Sequence, residues 1–333
     1  MAEKLVSLLV INWNGEKHLG ELLESLQNQT YKNTEIIVWD NASNDKSALI
    51  AEKFKKAKFI ASKENFGYSG GTNRAIDAAK GDYFFVLNND LVLDKNCVEE
   101  CVKTMESEEN CGIVFPKELY YGKFPEKYEI EFLPKTTFQG NTVKKRIYGK
   151  ETNFVLGAAF LISKKSLADL KYCFDPRFFM YFEDTDLSFR AIAKGYRILF
   201  EKKAVFWHKT AASVPKTRLY YLFRNCLLCY YKNFGFRGFL KFFPILLLKD
   251  FLTVSVDLKF SKNSPKDFIK AYFDLFKMAG KFGGEKFSGT EAKRVLDKME
   301  GTAGDDCSGV KCFFKKFYST AFRIYIKIVF LAI

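Results

Sequence analysis

Over the first 115 residues, short runs of consecutive apolar side chains alternate with apolar side chains spaced three and four apart. Runs of the first kind suit strands buried on both faces, and the second spacing suits amphipathic helices. Val6-Ser-Leu-Leu-Val-Ile11 predicts a first strand, and Leu19, Leu22, Leu23 and Leu26 predict a helix after it. Glu35-Ile-Ile-Val-Trp-Asp40 predicts a second strand, after which Ser43 and Asn44 offer an N-cap for a helix reaching about Phe54. Residues 58–61 predict a third strand. A Gly-rich turn then precedes a helix from about Thr72 to Ala79, and strands at 83–87 and 113–115 complete the series. This rhythm implies an open α/β sheet. Such sheets bind ligands beyond the carboxyl ends of their strands.

From residue 120 to 150 the pattern dissolves into aromatic, charged and turn residues, read as an excursion on the sheet. It resumes with a buried strand over 154–162, a helical stretch over 187–194 that Gly195 stops, and a strand over 197–200. Beyond Ser213 long aromatic and basic helices take over, broken near Gly280 and Gly301. The expected division is therefore a catalytic body over 1–212 and a helical region over 213–333.

Charge sharpens that division. Residues 213–333 hold 22 Lys and Arg against 10 Asp and Glu, so +12 of the net +14 lies there. A nearly neutral body with a basic, Phe-rich tail points to an anionic partner at that end. No apolar run approaches the ~20 residues that span a bilayer; the best, over 242–256, contains Pro244, Lys249 and Asp250. The N-terminus lacks the apolar core of a signal peptide, and eight cysteines scattered among apolar residues suit a reducing compartment, so a cytoplasmic location is expected. Cys226-x-x-Cys229 has no second pair and does not read as a zinc site.

Polar residues collect where the strands end. Asn12 and Asn14 follow the first strand, Asp40 and Asn41 the second, and Asn88-Asn89-Asp90 the strand at 83–87. Each cluster alone is ordinary turn chemistry; all three at one sheet edge suggest a site, in which a carboxylate beside an amide can hold a hard divalent cation. Phe179-Met-Tyr-Phe-Glu183-Asp184-Thr-Asp186 packs three carboxylates among aromatics. Mutual repulsion and burial would raise their pKa values toward those of a general base, and the same residues would also suit a helix N-terminus. His18 reads as a surface residue, whereas His208 is open to a core, capping or metal-ligand role. Asn65-Phe-Gly67-Tyr-Ser-Gly70-Gly71-Thr-Asn73 places glycines before a helix but matches neither a dinucleotide fingerprint nor a P-loop.

Collinear from Val6 to Ser213, the segments Val10-Ile-Asn-Trp-Asn14, Ile37-Val-Trp-Asp-Asn41-Ala-Ser43, Asn65 to Asn73, Leu87-Asn-Asn-Asp90, Gly157-Ala-Ala-Phe160, Phe178 to Asp186 and Trp207-His208 together resemble the inverting family-2 glycosyltransferases, rhamnosyltransferase-like branch. The resemblance implies a GT-A fold, a Rossmann-like α/β architecture with an open mixed sheet flanked by helices, a nucleotide-sugar donor carrying UDP or dTDP, and a divalent cation, Mg2+ or Mn2+. By motif position Asp40 would recognise the base, with Asn12, Asn14, Asn41, Asn88 and Asn89 on the donor side. Asn65, Gly70, Gly71 and Asn73 would border the donor. Asp90 and His208, with Asn88, would ligate the metal; Asn88 stands where many relatives carry Asp, and its neutral amide is the poorer ligand. Asp184 would deprotonate the acceptor hydroxyl, and Glu183 or Asp186 would orient acceptor or base.

The tail extends the expectation to a glycan or lipid-linked acceptor. Lys316, Thr320, Arg323 and Lys327 share a helical face beside Phe317, Phe322, Ile324, Ile328 and Val329. That pattern suits an anionic membrane surface, at the inner face of the cell membrane, or a homo-oligomer bundle. The same fold also serves polyprenyl-phosphate glycosyltransferases and enzymes acting on soluble glycans. A non-catalytic binding module is the alternative of another class. Nucleic acid is not expected as a partner, because the aromatic-plus-basic recognition motifs are absent.

Overall fold

The computed structural model describes residues 3–120, 132–136, 142–146, 151–209, 217–257, 264–279 and 286–299. It divides into two compact units, one of residues 1–131 and 146–213, the other of 132–145 and 214–333.

The first unit is a nine-stranded mixed sheet. Its strands are β1 (Val6–Asn12), β2 (Thr34–Asp40), β3 (Ala57–Ala61), β4 (Tyr83–Asn88), β5 (Leu91–Leu93), β6 (Cys111–Tyr120), β9 (Glu151–Thr152), β10 (Ala159–Ser163) and β11 (Arg197–His208). They lie in the order β3-β2-β1-β4-β10-β6-β11-β5, with β9 on β11. β3, β2, β1 and β4 are parallel, as are β6 and β11; β10 runs antiparallel between β4 and β6. The amino end of β10 therefore meets the carboxyl ends of β4 and β6. All seven residues of β1 are buried, so both of its faces are covered. Val6, Leu8 and Val10 pack with Val38, Phe85 and Leu87 under α1 (Leu19–Gln27) and α4 (Cys97–Ser107), whose apolar stripes are Leu19, Leu22, Leu23, Leu26 and Cys97, Val98, Cys101, Val102 and Met105. α3 (Gly67–Asp77) packs on β1 and β2.

Several boundaries depart from the sequence reading. The helix expected from Ser43 to Phe54 is only α2 (Ser47–Ala51), because the Ser43 hydroxyl and amide both turn back to Asp40 instead of capping it. The glycines expected in a turn before Thr72 are the first turns of α3 itself. The strand expected over 154–162 begins only at Ala159, and the strand expected over 197–200 continues to His208. α4 and the short α5 (Lys164–Leu170) went unassigned in the sequence. The acidic motif does open a helix, α6 (Glu183–Ala193).

The second unit contains the two-stranded β7 (Phe132–Thr136) and β8 (Thr142–Arg146), and helices α7 (Arg218–Asp257), α8 (Ser264–Ala279) and α9 (Gly289–Met299). α7 is broken at Gly235, whose φ of 68° interrupts the helical path. No described helix is long and apolar enough to cross a membrane. The amphipathic pattern over 316–329 lies outside the described residues, as does most of the 120–150 excursion.

Candidate functional site

Parallel pairing sets Asn12 opposite Asp40 at the ends of β1 and β2. There the Asn12 amide nitrogen donates to Asp40 Oδ1 at 2.6 Å, and its oxygen accepts from Asn89 at 2.9 Å. Asn12, Asp40 and Asn41 are all buried. Gly15 has to be glycine, since a Cβ there would collide with both Asn12 and Asn89. Asn14, exposed and at φ 50°, accepts from the Asn44 amide and so ties this loop to the one after β2.

The Asn12–Asn89 link leads to the next cluster. Asp90 Oδ1 lies 3.2 Å from His208 Nε2, and the other ring nitrogen of His208 bonds Glu118 Oε1 at 2.6 Å. Burial opposes a charged imidazole, but the hydrogen bonds to Asp90 and Glu118 outweigh it and raise the His208 pKa to about 9. Burial likewise opposes a charged Asp90, and the bond from His208 overcomes it, holding Asp90 below its ordinary value. In this ion-paired state the imidazole holds a proton on each nitrogen; on losing the one at Nε2, with Glu118 still orienting the ring from behind, it would join Asp90 as a donor pair for a divalent cation. Among the described residues no group of three or more His, Cys, Asp and Glu could hold a metal. A cation here would therefore complete its shell with ligand oxygens and water. Asn88 is positioned through its backbone, whose N–H donates to Ala158 O at 2.9 Å.

Ala158 and Gly157 bridge this edge to the acidic motif. A Cβ on Gly157 would lie 3.2 Å from Asp184 Oδ2, so the carboxylate rests directly against backbone. Asp184 Oδ1 accepts from the Thr185 amide at 2.7 Å. Burial lifts its pKa to about 6, against the lowering effect of bonds from Thr185 and Gly157. Burial, reinforced by the Asp184 charge, also drives Glu183 well above its ordinary range, and Glu183 Oε2 is buried with no hydrogen-bond partner. The Tyr68 hydroxyl donates to Gly157 O at 2.5 Å. Its pKa stands well above 10, through burial first and then the charges of Glu183, Asp184 and Asp90, which places it between the two clusters. Phe179, Tyr181 and Phe182 approach α6 with φ of 64°, 66° and 70°. Such a run of left-handed side-chain-bearing residues is strained and typical of functional turns.

The edge thus gathers Asp40, Asp90, Asp184 and His208, while other residues singled out in the sequence are engaged elsewhere. Asp186 is fully buried and pairs with Arg190 at 2.8 Å, and Arg190 also donates to the carbonyls of Tyr172 and Cys173. It anchors the helix and faces no cleft. Asn73 clamps the Phe174 backbone from both ends of its amide, at 2.6 and 3.1 Å. Gly70 and Gly71 are glycines for packing: a Cβ would come within 2.8 Å of Phe66 and 2.7 Å of Asn41. Asn41 donates to Gly67 O, and Asn65 is an exposed Asx turn on the Gly67 amide. His18 is half-buried rather than a surface residue, with Nδ1 unpartnered. Sequence reasoning missed Tyr68, Ser43 and Glu118. Tyr68 and Ser43 lie inside quoted motifs, but nothing in the run around Glu118 marks it.

Residues 7–171 match the family model described as Glycosyl transferase family 2. The chain is 29% identical over 211 residues to an uncharacterized glycosyltransferase, MJ1057, of Methanocaldococcus jannaschii, covering 59% of this chain and 68% of that protein. It is 35% identical over 111 residues to the putative glycosyltransferase EpsH of Bacillus subtilis, spanning 32% of each. Among solved structures it resembles S. aureus TarS 1–349 in complex with UDP-GlcNAc, with TM-score 0.55, 18% identity and coverage of 88% and 89%. It also resembles the mannosyltransferase PcManGT of Pyrobaculum calidifontis in complex with GDP-Man and Mn2+, with TM-score 0.54, 15% identity and coverage of 98% and 87%. These likenesses establish the mixed α/β architecture as that of the GT-A glycosyltransferases.

Proposed function

We propose, from the match of residues 7–171 to the glycosyl transferase family 2 model, that the chain is a member of that family and moves a sugar, with inversion, from a nucleoside-diphosphate donor to a hydroxyl of a glycan or lipid-linked glycan. The observation that carries this reading is Asp184: a carboxylate seated against the Gly157 backbone, with a pKa of about 6, on the sheet edge that also bears Asp90 and His208. A carboxylate in that state is ionised at neutral pH yet basic enough to take a proton from an attacking hydroxyl. Asp90 and His208 would hold a divalent cation, which when bound neutralises the charge of a leaving diphosphate. Asn12 and Asp40 form the floor on the nucleotide side, and Asn89 fixes their orientation.

Support for a nucleotide sugar and a cation also comes from the solved structures that hold UDP-GlcNAc, or GDP-Man with Mn2+. The rhamnosyltransferase-like motifs favour a UDP- or dTDP-sugar donor, and the basic tail favours an acceptor at the cytoplasmic membrane face. Screening UDP-, dTDP- and GDP-sugars with Mg2+ or Mn2+ for release of nucleoside diphosphate tests the reading. Cation-dependent release from one donor, abolished by Asp184→Asn, is expected. No release from any donor, or release that Asp184→Asn leaves intact, would sink it.

A further inference from the structure

Ten large apolar side chains are exposed among the described residues, and only Trp13 and Leu49 belong to the first unit. The other eight lie on α7 and α8. Downstream of Gly235, α7 exposes Phe236, Leu240, Leu247, Leu248 and Phe251, mostly at intervals of three, four and seven. α8 exposes Ile269, Phe273 and Phe276, at 67%, 59% and 69%, a single stripe on its outer face. Its inner face is already satisfied: Ala271 and Leu275 are buried, Phe268 packs on Phe223, and Tyr272 donates to Asp250 at 3.0 Å. The outward stripes are therefore surplus to the packing of the unit, and a folded chain seldom leaves such a patch without a partner.

The charges beside the stripes identify the partner. By helical position Lys266 and Lys277 flank the α8 stripe on one side, and Lys277 Nζ lies 4.4 Å over the Phe273 ring. Arg237 borders the α7 stripe. We propose that α8 and α7 downstream of Gly235 form a surface that sinks its phenylalanines into the headgroup region of an anionic bilayer, with Arg237, Lys266 and Lys277 reaching the phosphates. A second copy of the chain would bring the same cations against themselves. Residues 310–333 hold five Lys and Arg and no acid, so they offer no charge complementary to this border. An anionic lipid surface alone complements both the apolar stripes and their charge. The proposal deepens the membrane-acceptor reading by placing the contact on α7 and α8.

Cosedimentation of the full chain with vesicles, in the absence of donor and acceptor, tests docking separately from turnover. The chain is expected to bind phosphatidylcholine vesicles containing phosphatidylglycerol and to leave pure phosphatidylcholine largely unbound at moderate salt. Ile269→Ser/Phe273→Ser/Phe276→Ser should reduce partitioning by about tenfold or more. Lys266→Ser/Lys277→Ser should reduce it by about fivefold or more and flatten its salt dependence. Phe276→Ser alone, at the most exposed position, replaces the triple variant if its thermal melt shows misfolding, and should still lose about threefold or more. No binding to anionic vesicles, or unchanged binding of the stripe variants, overturns the proposal. So does binding lost only when residues 310–333 are removed, or a dimer that forms without lipid and dissolves in the stripe variants.

Discussion

Asp184 is a carboxylate whose burial works against its own charge. Unfolded, it would release its proton near pH 4; folded, it holds the proton to about pH 6. If it is the base, kcat/KM should fall about fivefold between pH 6 and pH 5 and level off above pH 7, a profile that initial rates across pH would reveal. The linkage has the opposite sign for stability. A raised pKa stabilises fully below about pH 4, and that contribution is lost as pH rises through about 6. Asp184→Asn should therefore raise the melting temperature at pH 8 and leave it nearly unchanged at pH 3.5, while removing turnover. Gly157→Ala tests the seat of this carboxylate. Its new methyl would sit 3.2 Å from Oδ2 and displace it, so kcat should fall about tenfold to a hundredfold with little change in the melt. At this scale Asp40 and Asp90 stood out because several polar clusters fall at one sheet edge, and Asp184 because three carboxylates crowd among aromatics; His208 was marked only by the family resemblance. Glu118 was not: its role depends on the register that sets β11 beside β6, which no local pattern encodes.

Among the elements, α6 shows how one acidic run divides its labour. Repulsion among Glu183, Asp184 and Asp186 suggests three similar carboxylates; helical geometry separates them. Asp186 meets Arg190 one turn on, inside the protein, while Asp184 faces Gly157. Asp186→Asn should cost about 3–5 kcal/mol by leaving Arg190 buried without its counter-charge, a loss measurable by denaturant unfolding. The folded fraction should keep its pH profile, which a catalytic Asp186 would not allow. Helix α1 was readable because four leucines repeat on one face. α4 is equally periodic, but of its six buried residues two are cysteines and one is a threonine, which blurs the apolar signal. The glycines of α3 misled for a physical reason: they are small because Phe66 and Asn41 press against the helix, and a turn would have demanded the same residue type.

For the molecule as a whole, every residue of the candidate site belongs to the first unit, and every exposed apolar stripe to the second. A chain ending at Ser213 should therefore still bind a donor in the presence of Mn2+, seen by calorimetry, and should lose its affinity for anionic vesicles. The chain of contacts from Asp40 through Asn12 and Asn89 to Asp90 and His208, and from Asn88 through Ala158 and Gly157 to Asp184, draws on the ends of β2, β1, β4 and β11, the approach to β10 and the start of α6. Those strands are spread over most of the first 208 residues, and closing such distant pairings is the slow part of assembling a sheet. During refolding, then, no partial arrangement of strands can present a working centre, and the first turnover announces that the last strand, β11, has come home.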